Sequence, residues 1–259
     1  SGSCPSLLLE PQRTNGITQS EYSGVYSLQN ISLTDNFATS PEGYDNAFKA
    51  VPNTTNSQHI FFRSGMGNAA DTYTQSIFAK ANGYNFCFIR FDLLTRYAFF
   101  DLQNGTTAYT DSDITSSITD MGNGWYRCTA TMTTTQYANA VIGVAEAGDS
   151  QADIDFTGDG ASSVLFYGHQ SELGSYPTSY IPCMGTSQTR SVEQLYTLED
   201  SSLFDLEQGT FFLEMSALED DGTDRKISIS DGTNDNMVNI GFSRFTGNIN
   251  GEVISNGVL

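Results

Sequence analysis

From Trp125 to Thr133 the chain alternates without a break. Tyr126, Cys128, Ala130 and Met132 fall on one phase, and Trp125, Arg127, Thr129 and Thr131 on the other. Side chains of a strand project to opposite faces with a period of two, so this run predicts a half-buried β-strand. The same period picks out residues 72–79, 86–92, 97–102, 141–145 and 164–170, separated by turn clusters such as Asn82-Gly83 and Asn104-Gly105. Many short strands at this spacing predict an antiparallel sandwich. Sustained helical spacing of apolar residues is absent, and abundant Thr and Gly disfavour helices. Only a short helical turn around residues 111–119 is expected, so the fold class is all-β.

At 259 residues the chain is long enough for two domains that each bury a core. A hydrophobic content of 38% is too high for disorder. No apolar run approaches the roughly 18 residues of a membrane span, so membrane insertion is not expected. The 30 Asp and Glu against 11 Lys and Arg leave a net charge of −19, which repels phosphate backbones and makes nucleic acid an unexpected partner. The opening Ser1-Gly2-Ser3 has no initiator Met and no apolar signal core, and reads as an interior or processed piece of a longer polypeptide. Asn30-Ile31-Ser32, Asn53-Thr54-Thr55 and Asn104-Gly105-Thr106 match the glycosylation acceptor pattern, which chance explains in a chain this rich in Asn, Ser and Thr.

Catalysis needs convergent groups, and the sequence selects none. His59 and His169 are the only histidines, too few for a zinc-type pair at helical spacing and a poor basis for a Ser-His-Asp arrangement. Glycosidase chemistry needs two carboxylates across a cleft, and among many acids no motif singles out a pair. The run Asp153-Ile154-Asp155-Phe156-Thr157-Gly158-Asp159-Gly160 begins like a calcium loop, but Val164 stands where a bidentate Glu would complete the shell. It reads as a turn before the 164–170 strand, and neither a metal nor another cofactor is expected.

Two distant stretches belong together: Cys4-Pro5-Ser6-Leu7-Leu8-Leu9-Glu10-Pro11-Gln12-Arg13-Thr14-Asn15, and Tyr176-Pro177-Thr178-Ser179-Tyr180-Ile181-Pro182 through Thr189-Arg190. With Gly122-Asn123-Gly124-Trp125-Tyr126-Arg127-Cys128 and Phe156-Thr157-Gly158-Asp159-Gly160 between them, they resemble the opening and closing segments of carbohydrate-binding-module-like jelly rolls. Such jelly rolls occur in phage head and tail fibres and in some secreted polysaccharide-acting enzymes. The resemblance implies one domain over residues 1–190 whose ends meet, with Arg13 and Arg190 tying them together. Four cysteines fit free core thiols or two disulfides. On the ends that such a fold brings together, Cys4 and Cys183 are a candidate bridge, whereas Cys87 and Cys128 fall on the apolar phase of their strands as core residues.

After Arg190 the texture changes. Gly209-Thr210-Phe211-Phe212-Leu213-Glu214 and Lys226-Ile227-Ser228-Ile229-Ser230-Asp231-Gly232 resemble the first strands of a concanavalin-like, laminin-G-like sandwich. Residues 191–259 are thus expected to hold the start of a second, incomplete domain, with strands at 210–218, 226–230, 237–242 and 247–254. Its apolar sheet face needs a cover from further residues or a neighbouring subunit.

Sugar recognition requires aromatic faces that stack on pyranose rings beside polar groups that bond hydroxyls. By strand phase or loop position the candidates are Tyr84 near Asn82, Tyr97 with Asp101, Trp125, and Tyr137 near Asn139; Trp125 also reads as an anchor at a strand start. The resemblance implies a non-enzymatic fibre or spike segment at the virion surface. It would be homotrimeric, associated with other virion proteins, and attached to a bacterial surface glycan. The alternatives are an accessory carbohydrate-binding region of a secreted polysaccharide-degrading enzyme, or a purely structural capsid decoration.

Overall fold

A computed structural model of the chain describes residues 8–66, 70–91, 96–135, 137–193, 213–216, 225–243 and 248–258. The chain divides into two compact units, Ser1–Gln194 and Leu195–Leu259. In the first, the strands are β1 (Arg13–Asn15), β2 (Ser27–Gln29), β3 (Ile31–Ala38), β4 (Ala47–Pro52) and β5 (Ser57–Ser64). There follow β6 (Asp71–Asn82), β7 (Phe86–Phe91), β8 (Arg96–Asp101), β9 (Thr106–Thr110) and β10 (Ile114–Gly122). The unit ends with β11 (Trp125–Thr134), β12 (Asn139–Ala145), β13 (Asp155–Phe156), β14 (Ser163–Leu173) and β15 (Gln188–Arg190).

Two sheets face each other. One runs β10-β11-β6-β14-β4-β3; the other runs β13-β5-β12-β7-β8-β9, with β2 also paired to β5. The strand pairings are antiparallel, and the chain is all-β. The alternation of β11 resolves as the sequence requires: Cys128, Ala130 and Met132 enter the core, and Tyr126 packs against it. Phe61 crosses Phe166 at 5.3 Å and 69°, and Phe48 at 5.5 Å and 80°. These edge-to-face contacts add to the roughly 2 kcal/mol that each buried ring contributes by leaving water.

The helical turn expected around residues 111–119 is not formed. From Ile114 that stretch is the edge strand β10, with Ile114 opposite Met132 and Ile118 opposite Cys128. Two isoleucines four apart suit a helix face and one strand face equally, and the apolar phase of β11 decides between them.

Both outer faces carry further packing. On the seven-stranded sheet, Ile60, Phe88, Tyr97, Phe99 and Val141 pack with Ile154 from a 3₁₀ turn at Gln151–Ile154. On the six-stranded sheet, Phe78, Trp125, Leu165 and Tyr167 pack with Tyr180. Arg127 pins this returning segment, its Nη2 donating to Ser76 Oγ at 2.9 Å and to Thr178 O at 2.7 Å. Burial lowers the Arg127 pKa, and the neighbouring Glu172 and Glu10 oppose that shift.

The ends of the first unit meet, as the terminal motifs imply. β1 pairs antiparallel with β15, with Arg13 opposite Arg190. Like charges in register repel, and the two guanidinia diverge: Arg13 lies over the Tyr176 ring at 5.3 Å, and Arg190 pairs with Glu10 at 2.8 Å. Cys183 is a buried free thiol; Cys4, and with it the candidate bridge, lies outside the described residues. Cys87 and Cys128 are buried core thiols.

In the second unit β16 (Arg225–Ser230), β17 (Met237–Phe242) and β18 (Ile249–Ile254) form an antiparallel sheet in that order. The strand expected at 210–218 lies largely outside the described residues. Ile227, Ile229, Val238, Ile249 and Val253 share one face by register, and all are exposed. The opposite face carries the Lys226–Glu252 ion pair at 3.4 Å.

Candidate functional site

A stacking platform must offer an open ring face, and three of the aromatic candidates do not. Trp125 is 2% exposed, its indole N–H donating to Thr39 O at 3.1 Å. Tyr97 is 4% exposed, edge-on to Phe88 at 5.6 Å and beneath the Arg90 guanidinium at 5.9 Å. Tyr137 is wholly buried, its hydroxyl 2.8 Å from Ser171 Oγ and its ring 4.6 Å from Tyr73; burial pushes its ionisation up. Asp101 accepts from the backbone N–H groups of Gln103 and Asn104 and from the Asn104 amide, which makes it the cap of the β8–β9 turn. Tyr84 is half-buried, edge-on to Phe156, and its hydroxyl accepts from Asp159 N at 3.2 Å. The structure does not bring these five together: Tyr97 lies on one outer face, Trp125 on the other, and Tyr137 between the sheets.

The calcium-like run is held by its own turns. Asp153 accepts from Asp149 N and Ser150 N, both at 2.8 Å. Asp159 accepts from Ala161 N, Ser162 N and the Ser162 hydroxyl, which hold its carboxyl below the ordinary range. Among the described residues no three His, Cys, Asp or Glu converge on a metal position. His59 is buried with its ring nitrogens against the carbonyls of Asn30 and Phe156.

A cleft of about 340 Å³ lies where the ends close, lined by Arg13, Thr14, Met66, Tyr73, Glu172 and Leu173 among others. Thr14 and Glu172 in its lining are engaged in the closure. Thr14 Oγ1 is 2.8 Å from Thr189 Oγ1, and Glu172 accepts from Gln170 Nε2, Thr178 N and Thr178 Oγ1.

Among the described residues, the most exposed aromatic rings lie elsewhere, at Tyr44 with 69% exposure and Tyr22 with 53%. Tyr44 tips the β3–β4 loop, and that loop is built tightly. Ser40 N and Asn46 N both donate to Tyr44 O, Gly43 N donates to Ser40 O, and Thr39 Oγ1 donates to Asp45 Oδ1 at 2.6 Å. Gly43 takes φ +89°, where a side chain is strained. The buried Trp125 holds the base of the loop through Thr39 O. Tyr22 lies so close over Gly24 that a Cβ there would stand 2.3 Å from the ring.

Glu21 precedes Tyr22 and Glu42 lies two residues before Tyr44 in the chain, and the two carboxylates share one hydroxyl. Tyr167 Oη is 2.8 Å from Glu42 Oε2 and 3.2 Å from Glu21 Oε1. Glu21 is also reached by Tyr180 Oη at 3.3 Å and by Asn46 Nδ2 at 3.2 Å. Burial first, and then the carboxylates, raise the ionisation of Tyr167, so its hydroxyl remains a donor. Neutral donors thus orient the two carboxylates without using up their lone pairs, which leaves acceptors for a ligand's hydroxyls. Tyr22 and Tyr44 were not singled out in the sequence because they sit in turns, where strand phase assigns no face. The cluster Pro41-Glu42-Gly43-Tyr44-Asp45-Asn46 was the available signal: an aromatic ring on a turn has no sheet to cover it.

No family model matches the chain, and no curated protein matches it. Among solved structures it is similar to the CBM22-1–GH10 modules of the N-terminal endo-1,4-beta-D-xylanase 10B of Clostridium thermocellum, complexed with xylohexaose. The identity is 10% and the TM-score 0.33, over 63% of this chain and 28% of that one. The chain thus spans little more than a quarter of that structure, and a likeness of this depth carries no argument about function.

Proposed function

We propose that the chain is a non-enzymatic segment of a phage fibre or spike whose first unit binds a bacterial surface glycan at Tyr22, Tyr44, Glu21 and Glu42. The observation that carries this reading is the projection of Tyr44 from a rigid loop next to two carboxylates already oriented by Tyr167. Ring faces stack on the C–H surface of a pyranose while the carboxylates accept from its hydroxyls. Fixing the loop in advance removes the ordering cost that a mobile tyrosine would meet on binding. The terminal and Gly-Trp-Tyr-Arg motifs support placement in a virion. A shallow surface of this kind binds weakly as a single copy, and several copies on one particle turn weak contacts into firm attachment.

The test has two arms. Purified particles are probed for the protein by mass spectrometry, and the purified chain is displayed at high density on a glycan array. Presence in particles with binding to a defined glycan set supports the proposal. Absence from particles with glycan binding retained transfers the module to a secreted enzyme. Silence across the array at high density leaves only a scaffold role and overturns the binding site.

A further inference from the structure

Cys87 on β7 and Cys128 on β11 belong to opposite sheets and to the same buried core. Cys87 lies opposite Phe100 and Val144 in its sheet, and Cys128 opposite Ile77 and Ile118. Facing sheets ordinarily stand about 10 Å apart, yet β7 and β11 approach within 8 Å, Cα to Cα. Ala79, Ala98 and Ala130 contribute small side chains to the same core. Cys87 is near enough across the interior to act on the Cys128 thiol, whose pKa burial and this neighbour both raise.

We propose that Cys87 and Cys128 are a disulfide-forming pair, and that their oxidation staples the two sheets of the first unit through the centre of its core. In the first step the Sγ of one cysteine, as thiolate, attacks a sulfur of a small-molecule disulfide and expels one small thiolate. The second cysteine then attacks the mixed disulfide and expels the other. One protein S–S bond forms, one small-molecule disulfide is reduced to two thiols, and the two cysteine protons pass to the departing thiolates. Burial raises the Cys128 thiol pKa, which disfavours the attacking thiolate inside the closed sandwich. The bond therefore forms while the chain folds, before the sheets close, and not by exchange on the finished domain.

The experiment uses the full chain carrying Cys4→Ser and Cys183→Ser, so that only this pair can react. The denatured, reduced protein is refolded with a mixture of oxidised and reduced glutathione, and in parallel with dithiothreitol. The expected result is a monomer lacking two hydrogens by intact mass, a proteolytic peptide joining Cys87 to Cys128, and an unfolding midpoint at least about 5 °C above that of the reduced form. A further Cys128→Val change should abolish the redox dependence of the midpoint. Two alkylatable thiols after oxidative refolding, a glutathione adduct or a dimer linked between chains would overturn the pairing. A linked monomer that melts below the reduced form would overturn the staple.

Discussion

Glu10 and Arg190, from opposite ends of the first unit, meet as an ion pair at 2.8 Å in which Glu10 is only 4% exposed. Glu10 also accepts from Ser179 N at 2.7 Å, so one carboxylate holds the entering chain, the returning segment and β15. Losing one partner of a buried pair costs about 3 kcal/mol, mainly because the survivor stays charged and dry. Arg190 is 19% exposed and better able to rehydrate. Arg190→Met should therefore destabilise the first unit more than Glu10→Gln, which keeps an acceptor for Ser179. Urea unfolding of the two variants checks the order, and the reverse order would contradict this account of the closure.

Asn15 completes the closure from within. Its amide nitrogen donates to Ile181 O at 2.9 Å and His169 O at 3.3 Å, and its oxygen accepts from Ile17 N at 3.0 Å and Ser171 N at 3.1 Å. Asn15→Ala strands four backbone groups in a site with no water access, an expected loss of at least about 3 kcal/mol. Asn15→Asp should be no better, since it sets a carboxylate against two carbonyls. Thermal unfolding of both variants decides it.

His169 makes stability depend on pH. Burial strips its charged form of water, lowering its pKa from 6.5 to about 3 in the folded chain. The unfolded chain then takes up the proton first as pH falls. Stability should be insensitive to this group above 6.5 and decline below it, by up to about 1.4 kcal/mol per pH unit, until the folded ring titrates near 3. Unfolding midpoints between about pH 6.5 and 4.5 check this, and His169→Gln should remove this part of the slope.

Period-two alternation located β6, β7, β8, β11, β12 and β14, because a strand half in a core must alternate. It could not state which faces end up open. Alternation treats the second face as solvent, but Ile154 and Tyr180 pack onto the outer faces and help bury Tyr97 and Trp125 there. The terminal motifs told that the ends meet, and β1 with β15 confirms it; that Glu10 supplies the buried counter-charge was not readable, since nothing local marks one acid among 30. Residues 111–119 misled because Ile114 and Ile118 suit two periods, and only the partner strand chooses.

The most direct test of the glycan account compares the wild-type chain with Tyr44→Ala on an immobilised host-surface polysaccharide, with the unfolding midpoint measured alongside. Tyr44 is 69% exposed, so its loss should leave the midpoint unchanged while binding falls at least about tenfold, as expected for losing a stacking ring. Undiminished binding by a fully folded Tyr44→Ala chain would contradict it.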